Sequence, residues 1–207
     1  MIKVFITKTL QSMEQIDFFD DETKKSIFNY RTKRQQLERF TGHLLIKHIW
    51  KTEKFTDKII YTPKPIIKDN NNLHISKAHS SGLVMVVISD TNIGADIEKL
   101  RATRVKKRIL SEEEIETAKQ LTNMLEKDLY ILQFWTAKEA YIKFYGSLNK
   151  DYKDIKLEII DENKHMRVGR IDGLYCYQSV FDMHVFSVVS ENFQSLEISY
   201  VDSKLLI

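Results

Sequence analysis

One cysteine, two prolines and six glycines are spread over 207 residues. Each scarcity excludes something. A lone Cys176 rules out an intrachain disulfide and a cysteine-based zinc site. Such a chain suits a reducing compartment, and the cytosol is expected. Both prolines fall in Thr62-Pro63-Lys64-Pro65, where regular structure should break. Charge of one sign is also scarce: 32 basic against 29 acidic side chains leave a net charge of +3. That does not argue for nucleic acid, although it suits an anionic ligand or an acidic protein partner. The longest apolar run, Leu83 to Ile88, is far short of the roughly 20 residues that span a bilayer. Met1 to Lys8 carries no apolar signal region. Neither a membrane nor a nucleic-acid partner is expected.

What is present suffices for a core. Hydrophobic residues make up 43% and charged residues 29%, as in ordinary soluble globular proteins. The length allows one large domain or two small ones. Residues Ile2 to Ile6 read as a first strand. Asp20-Asp21-Glu22 opens a helix with acids in its first turn. A basic helical segment follows, carrying Arg31, Lys33, Arg34 and Arg39. Leu37, Phe40, Leu44, Leu45 and Ile49 recur on it at three- and four-residue spacing, which predicts a buried face. Gly42 interrupts that face at a cost of roughly 1 kcal/mol against alanine, and points to a close approach there by another backbone or a ligand. Asp69 to Asn72 reads as a turn. Leu83 to Ile88 reads as a strand buried on both faces, and Ile93 to Glu98 as the next. Ser111 and Glu114 have capping-box spacing. A long helix spans Leu125 to Tyr145 and stops at Gly146. Strands are predicted at Leu157–Ile160, Tyr175–Val180, Val185–Val189 and Leu196–Val201. Each half has a long helix followed by a Val-rich strand, an echo too loose to be a repeat.

Two stretches carry chemistry. On the strand, Asp96 and Glu98 are two apart and face one side. Two acids so placed repel each other unless water or a cation separates them. Read alone, they are a solvated pair at a strand edge, or a hard-cation site suited to Mg²⁺, since only oxygen ligands are near. On the long helix, Trp135, Glu139 and Lys143 are spaced i, i+4, i+8, with Lys138 and Ile142 beside them. Read alone, Glu139 and Lys143 are a surface ion pair of roughly 0.3–0.5 kcal/mol, and Trp135 and Ile142 are core.

Taken together, Gly94-Ala95-Asp96-Ile97-Glu98 and Trp135-Thr136-Ala137-Lys138-Glu139-Ala140-Tyr141-Ile142-Lys143 resemble the signature of the 4′-phosphopantetheinyl transferases. The likeness is to the larger class named after the surfactin-synthetase activator. Lys64-Pro65 and His79-Ser80 stand, in the same order, where that family has Gly-Lys-Pro and Ser-His-Ser. Pro63 replaces the family's glycine, Ala78 replaces a serine, and Ala95 replaces a larger apolar residue. The resemblance runs from about residue 30 to residue 146.

The resemblance implies an α+β fold of two similar halves related by a pseudo-twofold, with the active site in the cleft between them. The halves would be residues 1–92 and 93–207, the second carrying the metal site. It implies a monomer that transfers the 4′-phosphopantetheine of coenzyme A to a serine of an acyl or peptidyl carrier protein. Adenosine 3′,5′-bisphosphate would leave. Asp96, Glu98 and Glu139 would hold Mg²⁺, or Mn²⁺, against the pyrophosphate. Lys143 would contact the phosphates. Glu139, or a metal-bound water beside it, would be the base; these two roles compete. Lys138 would touch phosphate or be only a helix-surface cation. His79 and Lys64, with Ser80 beside them and Arg39 on the basic helix, are the candidates for the 3′-phosphate of coenzyme A. The basic connector Arg101–Arg108 would dock an acidic carrier or be a solvated loop. His43, His48, His74, His165 and His184 read as structural. The alternative reading is a non-catalytic module that binds coenzyme A or a carrier protein on the same fold.

Overall fold

The computed structural model describes residues 1–56, 58–61, 65–68, 73–102, 108–147, 150–163 and 165–207. The expected turn at 69–72, the candidate Lys64, and Arg104, Lys106 and Lys107 of the basic connector lie outside the described residues. The chain is α+β and divides into two units. Met1–Thr91 with Gln194–Ile207 form one, and Asn92–Phe193 the other.

In the first unit, β1 (Ile2–Lys8) is followed by two helices, α1 (Asp21–Phe28) and α2 (Lys33–Thr52). Asp20 caps α1 through the backbone N–H of Thr23 at 2.7 Å. Thr32 and Gln35 form a capping box on α2, satisfying two backbone donors that have no partner inside the helix. Two short strands, β2 (Lys58–Tyr61) and β3 (Pro65–Lys68), pair antiparallel. Two longer strands, β4 (His74–Ser80) and β5 (Leu83–Ser89), follow.

β5 lies between β1 and β4 and is antiparallel to both. The predicted apolar stripe of α2 covers this sheet: Phe40, Leu44, Leu45 and Ile49 are buried in one cluster with Val84, Val86 and Ile88. A Cβ on Gly42 would lie 2.7 Å from the Cδ of Lys77 on β4. What approaches that glycine is neither a backbone nor a ligand but the methylene chain of Lys77 crossing α2.

In the second unit, β6 (Ile93–Lys99) leads to α3 (Glu112–Gln120) and α4 (Met124–Tyr145). Four strands follow: β7 (Leu157–Glu162), β8 (Arg167–Ile171), β9 (Leu174–Phe181) and β10 (His184–Ser190). The sheet order is β6-β10-β9-β8-β7, antiparallel throughout. The predicted capping box at Ser111 and Glu114 is present, and α4 ends at Gly146 with φ 77°. The last strand, β11 (Leu196–Tyr200), pairs in parallel with β1. Residues 194–207 thus pack in the first unit, where the sequence reading had drawn them with the second half.

Connectivity in the two units is alike. Each runs strand, long helix, hairpin, and the last hairpin strand pairs antiparallel with the first (β1-α2-β4-β5 and β6-α4-β9-β10). No helix among the described residues is long and apolar enough to cross a membrane.

Candidate functional site

The geometry of the second unit starts at Gly94. A Cβ there would lie 2.0 Å from the Ala140 carbonyl oxygen and 2.4 Å from the Phe144 nitrogen. Only a residue without a side chain lets α4 lie this close to β6. Two polar ties orient the helix. Thr136 Oγ1 and Ser187 Oγ on β10 are 2.7 Å apart in the interior, and Gln178 Nε2 donates to the Gln133 carbonyl at 2.7 Å and to Ser187 Oγ at 2.9 Å. Asn92 Nδ2 donates to the Phe144 carbonyl at 3.1 Å, satisfying a carbonyl of the last helical turn. The strand and helix motifs meet because of these contacts.

Of the three motif acids, Asp96 is the most buried, 8% exposed. Its Oδ1 accepts from Lys143 Nζ at 2.7 Å. Its Oδ2 is buried and has no hydrogen-bond partner among the described residues. Burial pushes its pKa up to about 6; Lys143 opposes the rise, and the carboxylates of Glu139 and Glu98 reinforce it. Glu98 lies 3.7 Å from Arg101 Nη2. Glu139 Oε1 accepts from the Tyr152 hydroxyl at 2.7 Å. Asp96, Glu98, Glu139 and Lys143 are thereby gathered into one electrostatic cluster.

The fit of this cluster to a divalent cation has two sides. Among the described residues, no three His, Cys, Asp or Glu side chains form a ready chelate. However, the buried Oδ2 of Asp96 is an acceptor without a hydrogen-bond partner among the described residues, and two further acids raise its pKa. The donors are all oxygen, the set preferred by Mg²⁺, which takes one or two carboxylates and fills the rest with water and phosphate. The residues fit such an ion, and the Lys143 ammonium balances the charge of Asp96 in its place.

Lys138 differs from both readings given to it. It is neither at the helix surface nor open to a ligand. Its amine is 0% exposed, donating to Glu114 Oε2 at 2.7 Å and to the Ile109 carbonyl at 2.9 Å. Burial lowers its pKa, and the Glu114 carboxylate works against that. Glu114 Oε2 also accepts the Ser111 N–H at 2.8 Å. One carboxylate therefore caps α3 and pins it to α4. Trp135 packs against the cluster of Ile109, Leu110, Ala118 and Ile131. It also lines a cavity of about 550 Å³ whose wall includes Arg108, Glu139, Tyr152 and Lys153.

The first unit holds the other candidates. His79 Nδ1 lies 3.2 Å from Glu38 Oε2, a buried carboxylate on α2. Glu38 Oε1 accepts the Gly82 N–H at 3.3 Å and lies 3.5 Å from Arg34 Nε. Burial works to raise the Glu38 pKa, but His79 and these neighbours hold it below its usual value. Ser80 is the next residue on β4 and is buried. Arg39 is buried too, donating to the Tyr30 hydroxyl at 2.9 Å with its guanidinium over that ring.

Two residues that matter here escape the sequence reading, Glu38 and Tyr152, and Glu114 is read there only as a cap. For Glu114 the signal was visible, since its capping-box spacing was recognised, but not its second partner. Glu38 and Tyr152 had no local signal.

Comparison with known proteins fits this geometry. The family profile described as "4′-phosphopantetheinyl transferase superfamily" matches residues 92–199, just over half of the chain. A Candida glabrata protein named L-aminoadipate-semialdehyde dehydrogenase-phosphopantetheinyl transferase is 23% identical over 147 residues, covering 64% of this chain and 57% of that protein. The 4′-phosphopantetheinyl transferase psf-1 of Bacillus pumilus is 28% identical over 134 residues, covering 55% of this chain and 56% of that protein. The matched stretch thus spans little more than half the length of each of these two relatives.

Proposed function

This chain belongs to the 4′-phosphopantetheinyl transferase superfamily, and from that premise we propose that it moves the 4′-phosphopantetheine arm of coenzyme A onto a serine of an acyl or peptidyl carrier protein. Adenosine 3′,5′-bisphosphate leaves. Within the superfamily, the motif order Lys64-Pro65, His79-Ser80, Asp96-x-Glu98 and Trp135 to Lys143 favours the surfactin-synthetase-activator type.

One observation carries the reading: the buried Asp96, with one oxygen on Lys143 and the other without a partner, beside Glu98 and Glu139. Transfer of a phosphoryl group asks mostly for positioning and neutralisation of charge. Asp96, Glu98 and Glu139 would hold a divalent cation, Mg²⁺ or Mn²⁺, through their carboxylate oxygens. That ion, when bound, supplies charge stabilisation at the pyrophosphate. Lys143 would give up its bond to Asp96 and contact the phosphate oxygens as a point charge. Glu139, or a water beside it, would take the proton of the serine hydroxyl, a role that competes with its hold on the ion. His79, held through Nδ1 by Glu38, would meet the 3′-phosphate of coenzyme A with Lys64, Ser80 and Arg39. Lys138, buried on Glu114 and the Ile109 carbonyl, would serve the scaffold rather than the phosphate.

Mass spectrometry of an apo carrier protein after incubation with the chain, Mg²⁺ and coenzyme A tests this. The expected result is a gain of one phosphopantetheine, lost with chelator and reduced at least 100-fold by Asp96→Ala. Binding of coenzyme A with no mass gain on several unrelated carriers would instead make the chain a binding module.

A further inference from the structure

Tyr152 stands at the first position of a short 3₁₀ turn, residues 152–154, after α4. The turn is held from both sides. Asp151 accepts the Lys153 N–H at 3.0 Å. Ile155, immediately after, is fully buried with Ala137, Ala140 and Tyr141 of α4. The Tyr152 ring packs against the cluster of Ile109, Leu110, Ala118 and Ile131 and forms one wall of the cavity that Glu139 also lines. Its hydroxyl reaches Glu139 Oε1 at 2.7 Å. Two independent supports, the clamped turn and the packed ring, therefore aim one O–H at one oxygen of one carboxylate.

A glutamate on a helix has three rotatable bonds, and fixing them costs side-chain entropy. A donor already held in place removes that cost from the moment of binding. Carboxylates that hold a metal are themselves hydrogen-bonded, and losing such a partner typically costs 10–100-fold in metal affinity or activity.

We propose that Tyr152 is the positioning residue for Glu139: its hydroxyl occupies Oε1 and so orients Oε2 as the donor that shares a divalent cation with Asp96. The proposal rests on the reading of Glu139 as a cation ligand. It assigns Tyr152 no contact with substrate.

Mn²⁺ binding, followed by the electron paramagnetic resonance of the free ion, reads the effect without requiring turnover. Tyr152→Phe keeps the ring and removes only the hydroxyl. It is expected to weaken Mn²⁺ binding 10–100-fold, with the thermal midpoint nearly unchanged. In turnover assays kcat should fall while the KM for coenzyme A moves less than about twofold, because the positioning matters most where charge develops. Tyr152→Leu removes ring and hydroxyl together and should bind Mn²⁺ no more weakly than Tyr152→Phe.

Mn²⁺ affinity of Tyr152→Phe equal to that of the parent would overturn the proposal. So would a loss confined to Tyr152→Leu, which would make the ring, through packing, the cause. The parent chain separates the two levels. A parent that binds no Mn²⁺ refutes the cation reading itself. A parent that binds Mn²⁺ but modifies no carrier refutes the proposed reaction and leaves the comparison of Tyr152→Phe with parent intact.

Discussion

The two lysines of the helix motif sit five residues apart and do opposite things. Lys143 is part-exposed and paired to Asp96, where a charge near a ligand is useful. Lys138 is sealed between α3 and α4 with Glu114, where a charge is useful only to its partner. Burying an ion pair costs desolvation that the pairing about offsets, but removing one partner leaves the other charge buried and alone, at about 3–5 kcal/mol. Lys138→Ala should therefore lower unfolding stability by that amount in urea titrations. Lys138→Met with Glu114→Gln, which removes both charges and keeps an acceptor for the Ser111 N–H, should recover most of it. A loss of activity in Lys138→Ala alone would then report an unsettled α3–α4 scaffold. If the double substitution were as unstable as the single one, the pair would not be the reason. Trp135 belongs to the same scale. Its packing against the cluster of Ile109, Leu110, Ala118 and Ile131 gives it the core role read from spacing, yet it also lines the cavity beside Glu139.

Among elements, the decisive contact is α4 against β6. The acids lie on the strand and the amine and third acid on the helix, so their meeting depends on how closely the two backbones approach. Gly94 sets that distance. A methyl group there would overlap the Ala140 carbonyl oxygen at 2.0 Å, and backbone cannot step aside as a side-chain tip can. Overpacking of this kind costs about 1–3 kcal/mol or more. Gly94→Ala is expected at the upper end, about 3 kcal/mol, in chemical unfolding. The displaced helix should also lengthen the Lys143–Asp96 contact and reduce any transfer activity more than the stability loss alone accounts for. An unchanged unfolding midpoint would show that the helix can move without cost. The Thr136–Ser187 and Gln178–Gln133 bonds serve the same element by fixing which face of α4 turns toward β6.

Across the whole chain, the pH dependence of stability should carry a strong contribution from the first unit. His43 on α2 is fully buried. Burial, then the charges of Lys77 and Arg39, drive its pKa down to about 2. Burial, then Arg39, drives the Lys77 amine down to about 7, and that amine has no hydrogen-bond partner among the described residues. Both are bases whose folded pKa lies below the unfolded one, so the unfolded chain binds more protons and stability rises with pH. The His43 contribution is present above about pH 6.5 and is lost as pH falls from there toward about 2, at about 1.4 kcal/mol per unit. The Lys77 contribution is greatest above its ordinary pKa and is lost as pH falls toward 7. Urea midpoints should therefore climb between about pH 7 and about pH 9; below about pH 6 the raised Asp96 carboxyl opposes the His43 slope, and above about pH 9 the raised Cys176 thiol opposes that of Lys77. Lys77→Met should flatten the segment between about 7 and 10, and His43→Leu the segment below about 6.5. An unchanged slope in both variants would sink the assignment.

Much of the fold was legible because local chemistry carries it. The Ser111–Glu114 box, the stop at Gly146, the stripe of Leu44, Leu45 and Ile49, and the apolar run of β5 are all read within a few residues, since turn, cap and periodicity are short-range properties. The strand acids Asp96 and Glu98 and the helix residues Glu139 and Lys143 were legible as two motifs for the same reason. Their meeting was not, because it depends on a backbone approach at Gly94 between segments some 45 positions apart in the sequence. The return of β11 to β1, the burial of Lys138, the hold of Glu38 on His79 and the bond from Tyr152 to Glu139 share that cause. Each joins residues whose spacing follows no helix or strand period. The chain by itself determined which groups are available and on which elements they ride. Packing alone decided which of two neighbouring lysines faces the acids and which one disappears into the core.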